Sequence, residues 1–197
     1  LEGLLYRFKC KKFTGGVLAV LTIAITFIVS FILAKISVVL EIFFLYTTLA
    51  TKSLASEGFR VCKILVEGDM EKAKKELSYL VSRDTENMNV VQITRSVLET
   101  ISENSVDGVI APMFFAFLGS LFSIDGVSLA LPFAMGYKAI NTLDSMVGYK
   151  NEKYMNFGTV SARIDDIANF IPARLSGGLI IPIAAFILRY DYKSAWR

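Results

Sequence analysis

Residues 17–34 read VLAVLTIAITFIVSFILA, eighteen consecutive positions without a charge, bounded by Lys12 and Lys35. At about 1.5 Å per residue such a helix covers roughly 27 Å, close to the thickness of a bilayer's hydrocarbon core. A secretory leader fits poorly, because the run exceeds an h-region and no small-residue cleavage site follows. The stretch therefore predicts a transmembrane helix. Ser37–Thr51 is a second apolar run, interrupted by Glu41, and the tight turn at Lys35–Ser37 makes residues 17–51 a transmembrane hairpin. Arg7, Lys9, Lys11 and Lys12 precede the hairpin, and Lys52, Arg60 and Lys63 follow it. The positive-inside bias then places both flanks in the cytosol.

Composition agrees. The 197 residues are 54% hydrophobic yet 20% charged, with mean hydropathy +0.53, so apolar blocks must alternate with water-facing ones. The chain contains no histidine. That excludes Ser-His-Asp and Cys-His catalysis, histidine-ligated zinc or haem, and a histidine proton relay. Cys10 and Cys62 are the only cysteines, which excludes a disulfide framework and favours two free thiols facing the cytosol. A dispersed net charge of +3 argues against nucleic acid as a partner. Leu1 at the first position and Arg197 just after an apolar run are read as the cut ends of a longer chain. Internal repeats and low-complexity tracts are not evident.

Residues 52–107 hold most of the charge and read as a cytosolic helical segment. Met70, Ala73, Leu77, Leu80 and Val81 recur at helical spacing behind Gly68-Asp69, an amphipathic helix with its start signal. Residues 82–87 form a polar loop. A further helix runs from Val90 to Asn104, capped by Asn89, with Val90, Val97, Leu98 and Ile101 expected to face inward. Residues 109–140 are apolar but broken at Ser123-Ile124-Asp125-Gly126, so they form either one kinked span or a re-entrant helical pair. Residues 141–175 read as a polar loop or helix, and 177–188 as an apolar segment too short to span comfortably. The expected fold is all-α: a single polytopic helical membrane domain, 1–197, with amphipathic cytosolic helices.

Three polar clusters abut apolar segments. Glu99, Glu103 and Asp107 are spaced by four, with Asn104 among them; on a continuing helix they make one acidic stripe, or a solvated face in which Arg95 pairs with Glu99. Asn141 and Asp144 share a helix face near Gly148, with Lys150 just beyond; an ordinary helix C-terminus is the simpler account. Arg163, Asp165, Asp166, Asn169 and Arg174 form the third cluster, which reads equally as a self-neutralised ion-pair network. All three offer oxygen ligands only, which suits magnesium completed by water and phosphate oxygens. Arg83, Lys150, Arg163 and Arg174 could hold phosphate or carboxylate. If the clusters form one site, residues 109–140 must enter and return on the same side, turning at Asp125-Gly126. No Walker A or Gly-x-Gly-x-x-Gly motif is present.

At these clusters the segments SRDTENM, ETISENSVDGVIAPMFF, NTLDSMVGYKNEKYMNFGTVSARIDD and NFIPARL resemble the adenosylcobinamide-phosphate synthase family of cobalamin biosynthesis, and the likeness covers nearly the whole chain. The resemblance implies a multi-pass enzyme of the cell (inner) membrane, its active site facing the cytosol. Its reaction joins the propionate carboxylate of adenosylcobyric acid to an aminopropanol, normally as the phosphate, in an ATP-dependent, magnesium-requiring ligation. By motif, Arg83 and Asp84 match the family's Arg-Asp-Thr loop. Glu99, Glu103, Asn104 and Asp107 match its acidic helix, and Asn141 and Asp144 its Asn-Thr-Leu-Asp element. Arg163, Asp165, Asp166, Asn169, Pro172 and Arg174 match the segment ending in Pro-Ala-Arg.

On that basis Glu99, Glu103, Asp107 and Asp166 are the expected catalytic carboxylates, with Glu99 assigned to take the proton from the attacking ammonium. Glu103, Asp107, Asp144, Asp165 and Asp166 are the expected Mg²⁺ ligands. Arg83, Asn104, Asn141, Lys150, Arg163, Asn169 and Arg174 are assigned to substrate and phosphate. The expected partners are the corrinoid, aminopropanol phosphate and the lipid bilayer, with a homo-oligomer or other cobalamin-pathway membrane proteins as further candidates. Two alternatives stand beside this one: an intramembrane prenyltransferase that binds a magnesium diphosphate, and a non-enzymatic membrane regulator.

Overall fold

A computed structural model of the chain describes residues 6, 10–49, 51–81, 83–149 and 154–189, with the backbone alone at 51–55 and 57. In chain order the helices are α1 Lys11–Ile36, α2 Val38–Thr47, α3 Thr51–Glu67, α4 Met70–Ser78, α5 Val90–Ser105, α6 Ala111–Ser120, α7 Ala130–Val147, α8 Thr159–Leu175 and α9 Ile181–Ile187. A two-residue ladder, β1 Ser123–Ile124 with β2 Val127–Ser128, joins α6 to α7. The architecture is all-helical, as expected. The chain divides into two compact units, residues 1–49 with 110–197 and residues 50–109, where the sequence reading expected one domain.

In the first unit the long uncharged run becomes α1, of 26 residues. Its inward stripe consists mostly of small side chains, Thr14, Gly15, Ala19, Ser30 and Ala34, with Leu18 as its one large member, while Val20, Ile25, Ile28, Val29 and Ile32 are exposed. Small residues inward and large apolar ones outward is the arrangement of helices that approach closely within lipid. A Cβ on Gly15 would overlap the carbonyl oxygen of Phe157. Leu18 and Ala19 accordingly pack with Leu143, Val147 and Phe157 in one buried cluster. The hairpin partner α2 has only ten residues, none of them buried, or about 15 Å of helix, half of what a span needs. It starts at Ser37, whose hydroxyl accepts from the Val39 amide at 3.2 Å. A spanning hairpin over 17–51 is therefore not what forms: α1 is long enough to cross a membrane and α2 is not.

Residues 109–140 form the turned pair. Asp125 and Gly126 take positive φ, 50° and 76°, as a two-residue hairpin turn between paired strands demands. Asp125 Oδ2 also meets Lys35 Nζ at 3.1 Å, which ties the tip to the far end of α1. The helix α7 continues through Asn141 and Asp144 to Val147, so those residues belong to the returning helix and not to a separate polar segment.

The region 159–187 departs most from expectation. It forms one helical run of 29 residues, the second helix long and apolar enough to cross a membrane, where the sequence suggested a polar segment followed by a short apolar one. Its continuity depends on a π-helical turn at Ser176–Ile180, and a matching turn occupies Val106–Ile110. Both precede a proline at the second position of the next helix, Pro182 and Pro112. A proline inside a helix crowds the carbonyl four residues back and donates no amide. Here that residue is Gly178 or Gly108, and the widened turn absorbs the clash. The two turns share a short local pattern, DGVIAP at 107–112 and GGLIIP at 177–182.

The second unit is built by α3, α4 and α5 around Val61, Leu77, Ile93 and Val97. Asp69 caps α4 by accepting from the Lys72 amide at 3.0 Å. Asn89 and Gln92 form a reciprocal capping box at the start of α5, with contacts of 2.9 and 2.8 Å. Asn89→Ala removes one half of that box, and thermal melting should show a loss of about 1 kcal/mol. Val97 and Ile101 face inward as expected. Val90 and Leu98 do not, being 53% and 63% exposed, and Ile93 and Ser96 take the inner face instead. The hydrophobic stripe of α5 is thus rotated from the expected one.

Candidate active site

A polar seam runs along the inner face of α8. Ser161, Asp165 and Asn169 recur every fourth residue, so they stack on one side of the helix. Tyr137, fully buried on α7, donates its hydroxyl to Asn169 Oδ1 at 2.9 Å. Asn169 in turn donates Nδ2 to Asp165 Oδ2 at 3.1 Å. The tyrosine hydroxyl thereby fixes the amide's orientation and the amide fixes the carboxylate. Phe115 stacks on the Tyr137 ring, centroids 5.1 Å apart and 14° from parallel, which holds the head of the relay. One turn before Asp165, the buried Ser161 hydroxyl has no hydrogen-bond partner among the described residues. An unsatisfied buried hydroxyl costs about 1–3 kcal/mol, so this seam is built with an open polar position.

Not every predicted residue joins the seam. Arg163 and Asp166 are exposed and make no ion pair among the described residues. Arg174 folds back on its own helix, donating to the Phe170 carbonyl at 2.8 Å, with its guanidinium 3.5 Å from that ring's centroid. The third cluster is therefore no self-neutralised network: its arginines lie off the face that carries Asp165. Asn141 and Asp144 lie half-buried on α7. A Cβ on Gly148 would overlap the Asp144 carboxylate, so that side chain lies over the end of its helix. Lys150 lies outside the described residues.

The acidic stripe belongs to the second unit. Glu99 receives Arg95 at 2.9 Å and Arg83 at 3.2 Å, so it ties the 83–89 loop to α5. Glu103 and Asn104 are exposed, and Asn104 donates to the Thr100 carbonyl at 3.0 Å. Asp107 lies in the π-helical turn, whose wider winding carries it off the four-residue line of Glu99 and Glu103. The loop itself is well anchored: buried Thr85 donates to the Lys74 carbonyl at 3.1 Å, and Asp84 Oδ1 accepts from the Glu86 amide at 2.9 Å. Beside it lies a cleft of about 620 Å³ whose lining includes Lys74, Lys75, Arg83, Glu71, Asp84 and Glu86. Three cations against three anions give it no net preference for an anion.

Among the described residues no three histidine, cysteine, aspartate or glutamate side chains are grouped so as to hold a metal ion. The donors present thus fit no all-protein cage. A carboxylate here could share a metal ion only where phosphate or water supplied most of the shell.

A family model described as "CobD/Cbib protein" matches residues 1–197. The chain belongs to the CobD/CbiB family. Its relatives in that family include the "Cobalamin biosynthesis protein CobD" of Listeria monocytogenes serotype 4b (strain F2365), 45% identical over 201 residues, 98% of this chain and 60% of that protein. The protein of the same name from Clostridium perfringens (strain 13 / Type A) is 50% identical over 153 residues, 78% of this chain and 45% of its own. The "Cobalamin biosynthesis protein CbiB" of Salmonella typhi is 44% identical over 197 residues, 96% of this chain and 57% of its own. The chain thus spans about three fifths of the length of the Listeria and Salmonella CobD/CbiB relatives. No solved structure matches.

Sequence reasoning singled out Asp165 and Asn169 but missed Tyr137 and Ser161. The four-residue spacing of Ser161, Asp165 and Asn169 was a usable signal for the serine. For the tyrosine there was none, since it sits in the apolar stretch GYKAI and its role comes from a helix met 32 residues later.

Proposed function

We propose that this chain forms part of an integral membrane adenosylcobinamide-phosphate synthase, which joins the propionate carboxylate of adenosylcobyric acid to the amine of aminopropanol phosphate. The observation that carries the proposal is the Tyr137–Asn169–Asp165 relay: a family motif places an oriented carboxylate on a helix long and apolar enough to cross a membrane. Two such helices, with large apolar side chains turned outward along α1, support a membrane location, and the family's name for its members supports cobalamin biosynthesis as the pathway.

In this reading the carboxylate is first activated as an acyl phosphate by phosphoryl transfer from ATP. The substrate nitrogen, its proton lost to water, then bonds to the acyl carbon as the C–O bond breaks. Phosphate leaves with that oxygen, and the second nitrogen proton also passes to water. Magnesium and ATP belong to the proposal through the resemblance; when bound, the metal would neutralise phosphate charge, held by carboxylates such as Asp144 and Asp165 in one unit or Glu103 and Asp107 in the other. Asp165, oriented by Asn169, fixes a negative charge at a constant place on α8. Asp166, Arg163, Asn141 and Arg174 are assigned to the substrates in the first unit; in the second, Asn104 is assigned to them too, and Arg83 is positioned by Glu99. Glu99 is better suited to hold that arginine than to accept a proton, because both its oxygens already receive guanidinium donors.

Complementation tests the activity. The gene encoding this chain, supplied to a strain that cannot convert cobyric acid to cobinamide, should restore growth on cobyric acid. Growth on cobinamide alone rejects the proposal. The cytosolic orientation has its own test. Cys10, exposed directly before α1, should react with a membrane-impermeant maleimide in inverted vesicles and stay unlabelled in intact spheroplasts, with Cys62→Ser removing the second thiol. Labelling from the periplasmic side would reverse the topology.

A further inference from the structure

Helices α7 and α8 run antiparallel, and two contacts set their register: Gly158 packs on the carbonyl of Val147, and Tyr137 bonds to Asn169 at 2.9 Å. Between those points Asn141 stands level with Asp165, and Asp144 with Ser161. Asn141 and Asp144 follow Tyr137 by one and two turns of α7, so they share its stripe. The second and third polar clusters of the sequence thus meet in one seam. Asn141, Asp144 and Asp165 all have partners within the chain. Ser161 differs: it is 2% exposed, and its hydroxyl makes no hydrogen bond among the described residues. A helical serine ordinarily bonds back to the carbonyl four residues earlier, as Ser105 does to Ile101 at 2.6 Å and Ser145 to Asn141 at 3.0 Å. For Ser161 that carbonyl is Phe157's, against which the backbone of Gly15 is packed.

We infer that Ser161 and Asp165 form the subsite for a primary ammonium, the reacting end of the amine substrate, with Asp144 across from Ser161 on α7. The amine itself comes from the proposed function; the cation is read from the seam alone. Carboxylates at two levels of the seam repel an anion, and the open group between them is an oxygen. Side chains four apart on a helix have Cβ atoms about 5–6 Å apart, a gap that one nitrogen closes with two charge-assisted bonds of about 2.8 Å. An ammonium presents three N–H donors, enough for Ser161 Oγ, Asp165 and Asp144. Magnesium fits less well, because it demands octahedral oxygen ligation and keeps several waters, for which a hydroxyl buried between helices leaves no space. Of the two carboxylate pairs open to the metal, Glu103 and Asp107 are therefore the ones left to it.

The complete protein, in phosphatidylcholine nanodiscs, is titrated by calorimetry with aminopropanol phosphate and with propanediol phosphate, which carries a hydroxyl in place of the ammonium. Wild type should bind the amine more than tenfold more tightly, and Ser161→Ala should cut that preference about tenfold, the scale of one hydrogen bond to a charged group. The same variant should raise the melting temperature of the ligand-free protein, since it deletes an unsatisfied buried hydroxyl. Equal binding of the two phosphates by wild type, or an unchanged preference in Ser161→Ala, overturns the subsite. So does a melting temperature that falls in step with the preference, because Ser161 would then be a structural residue. If wild type binds neither phosphate, the proposed substrate fails and propylammonium decides the subsite: it should raise the melting temperature of wild type but not of Ser161→Ala, and an equal response overturns the subsite. A Ser161-dependent preference in a protein that forms no amide would overturn the proposed reaction and leave the subsite standing.

Discussion

Asp165→Asn should lower the rate of corrinoid amidation by about 10²–10³-fold, the scale on which losing a preorganised charge at a reacting centre is felt. The substitution is close to isosteric, and the new amide oxygen can still accept from Asn169, which now lies 3.1 Å from the carboxylate. The relay from Tyr137 therefore survives, and the fold with it; what disappears is the negative charge. The measurement is kcat/KM for amide formation in the purified complete protein, with thermal melting alongside. An activity within threefold of wild type would remove the seam from the chemistry, whereas a loss of melting temperature in step with activity would make Asp165 a structural residue.

The second large effect is steric. Gly158 sits where a Cβ would overlap the carbonyl oxygen of Val147 and crowd the Cα of Gly148. Both obstacles are backbone and cannot rotate away. Gly158→Val should cost about 3 kcal/mol, the upper part of the usual range for overpacking, or leave no folded protein to measure. Its φ of −81° is ordinary for any residue, so the penalty is contact and not conformation. Gly177→Ala is the control: nothing lies within 4 Å of its missing Cβ, and melting should shift by less than about 1 kcal/mol. Equal losses at both positions would mean that the tight approach between the end of α7 and the start of α8 contributes no specificity.

Much was legible from local chemistry. The uncharged run over 17–34, the start signals Asp69 and Asn89, and the Asp125-Gly126 turn each depend on residues within a few positions of one another. Hydrophobic length, a capping side chain and a left-handed turn preference act over one or two turns of chain, so they survive without knowledge of the fold. Four motif segments likewise carried family membership, because they are long and ordered.

Other features depended on what each helix packs against. Leu98 and Val90 have the spacing of core residues, yet Ile93 and Ser96 join Val97 on the inner face, a choice that periodicity alone does not make when apolar residues lie on more than one side of a helix. The run over 159–187 reads as two segments because its first part is polar and its last part a short apolar stretch; a π-helical turn that contains Gly178 lets one helix continue. Tyr137 sits in an apolar stretch, and only the placement of α8 against α7 gives its hydroxyl a partner. Residue types and their spacing decide which helices can form; the rotation of each helix about its own axis, and so which polar group meets which, is settled by close packing between segments far apart in the chain.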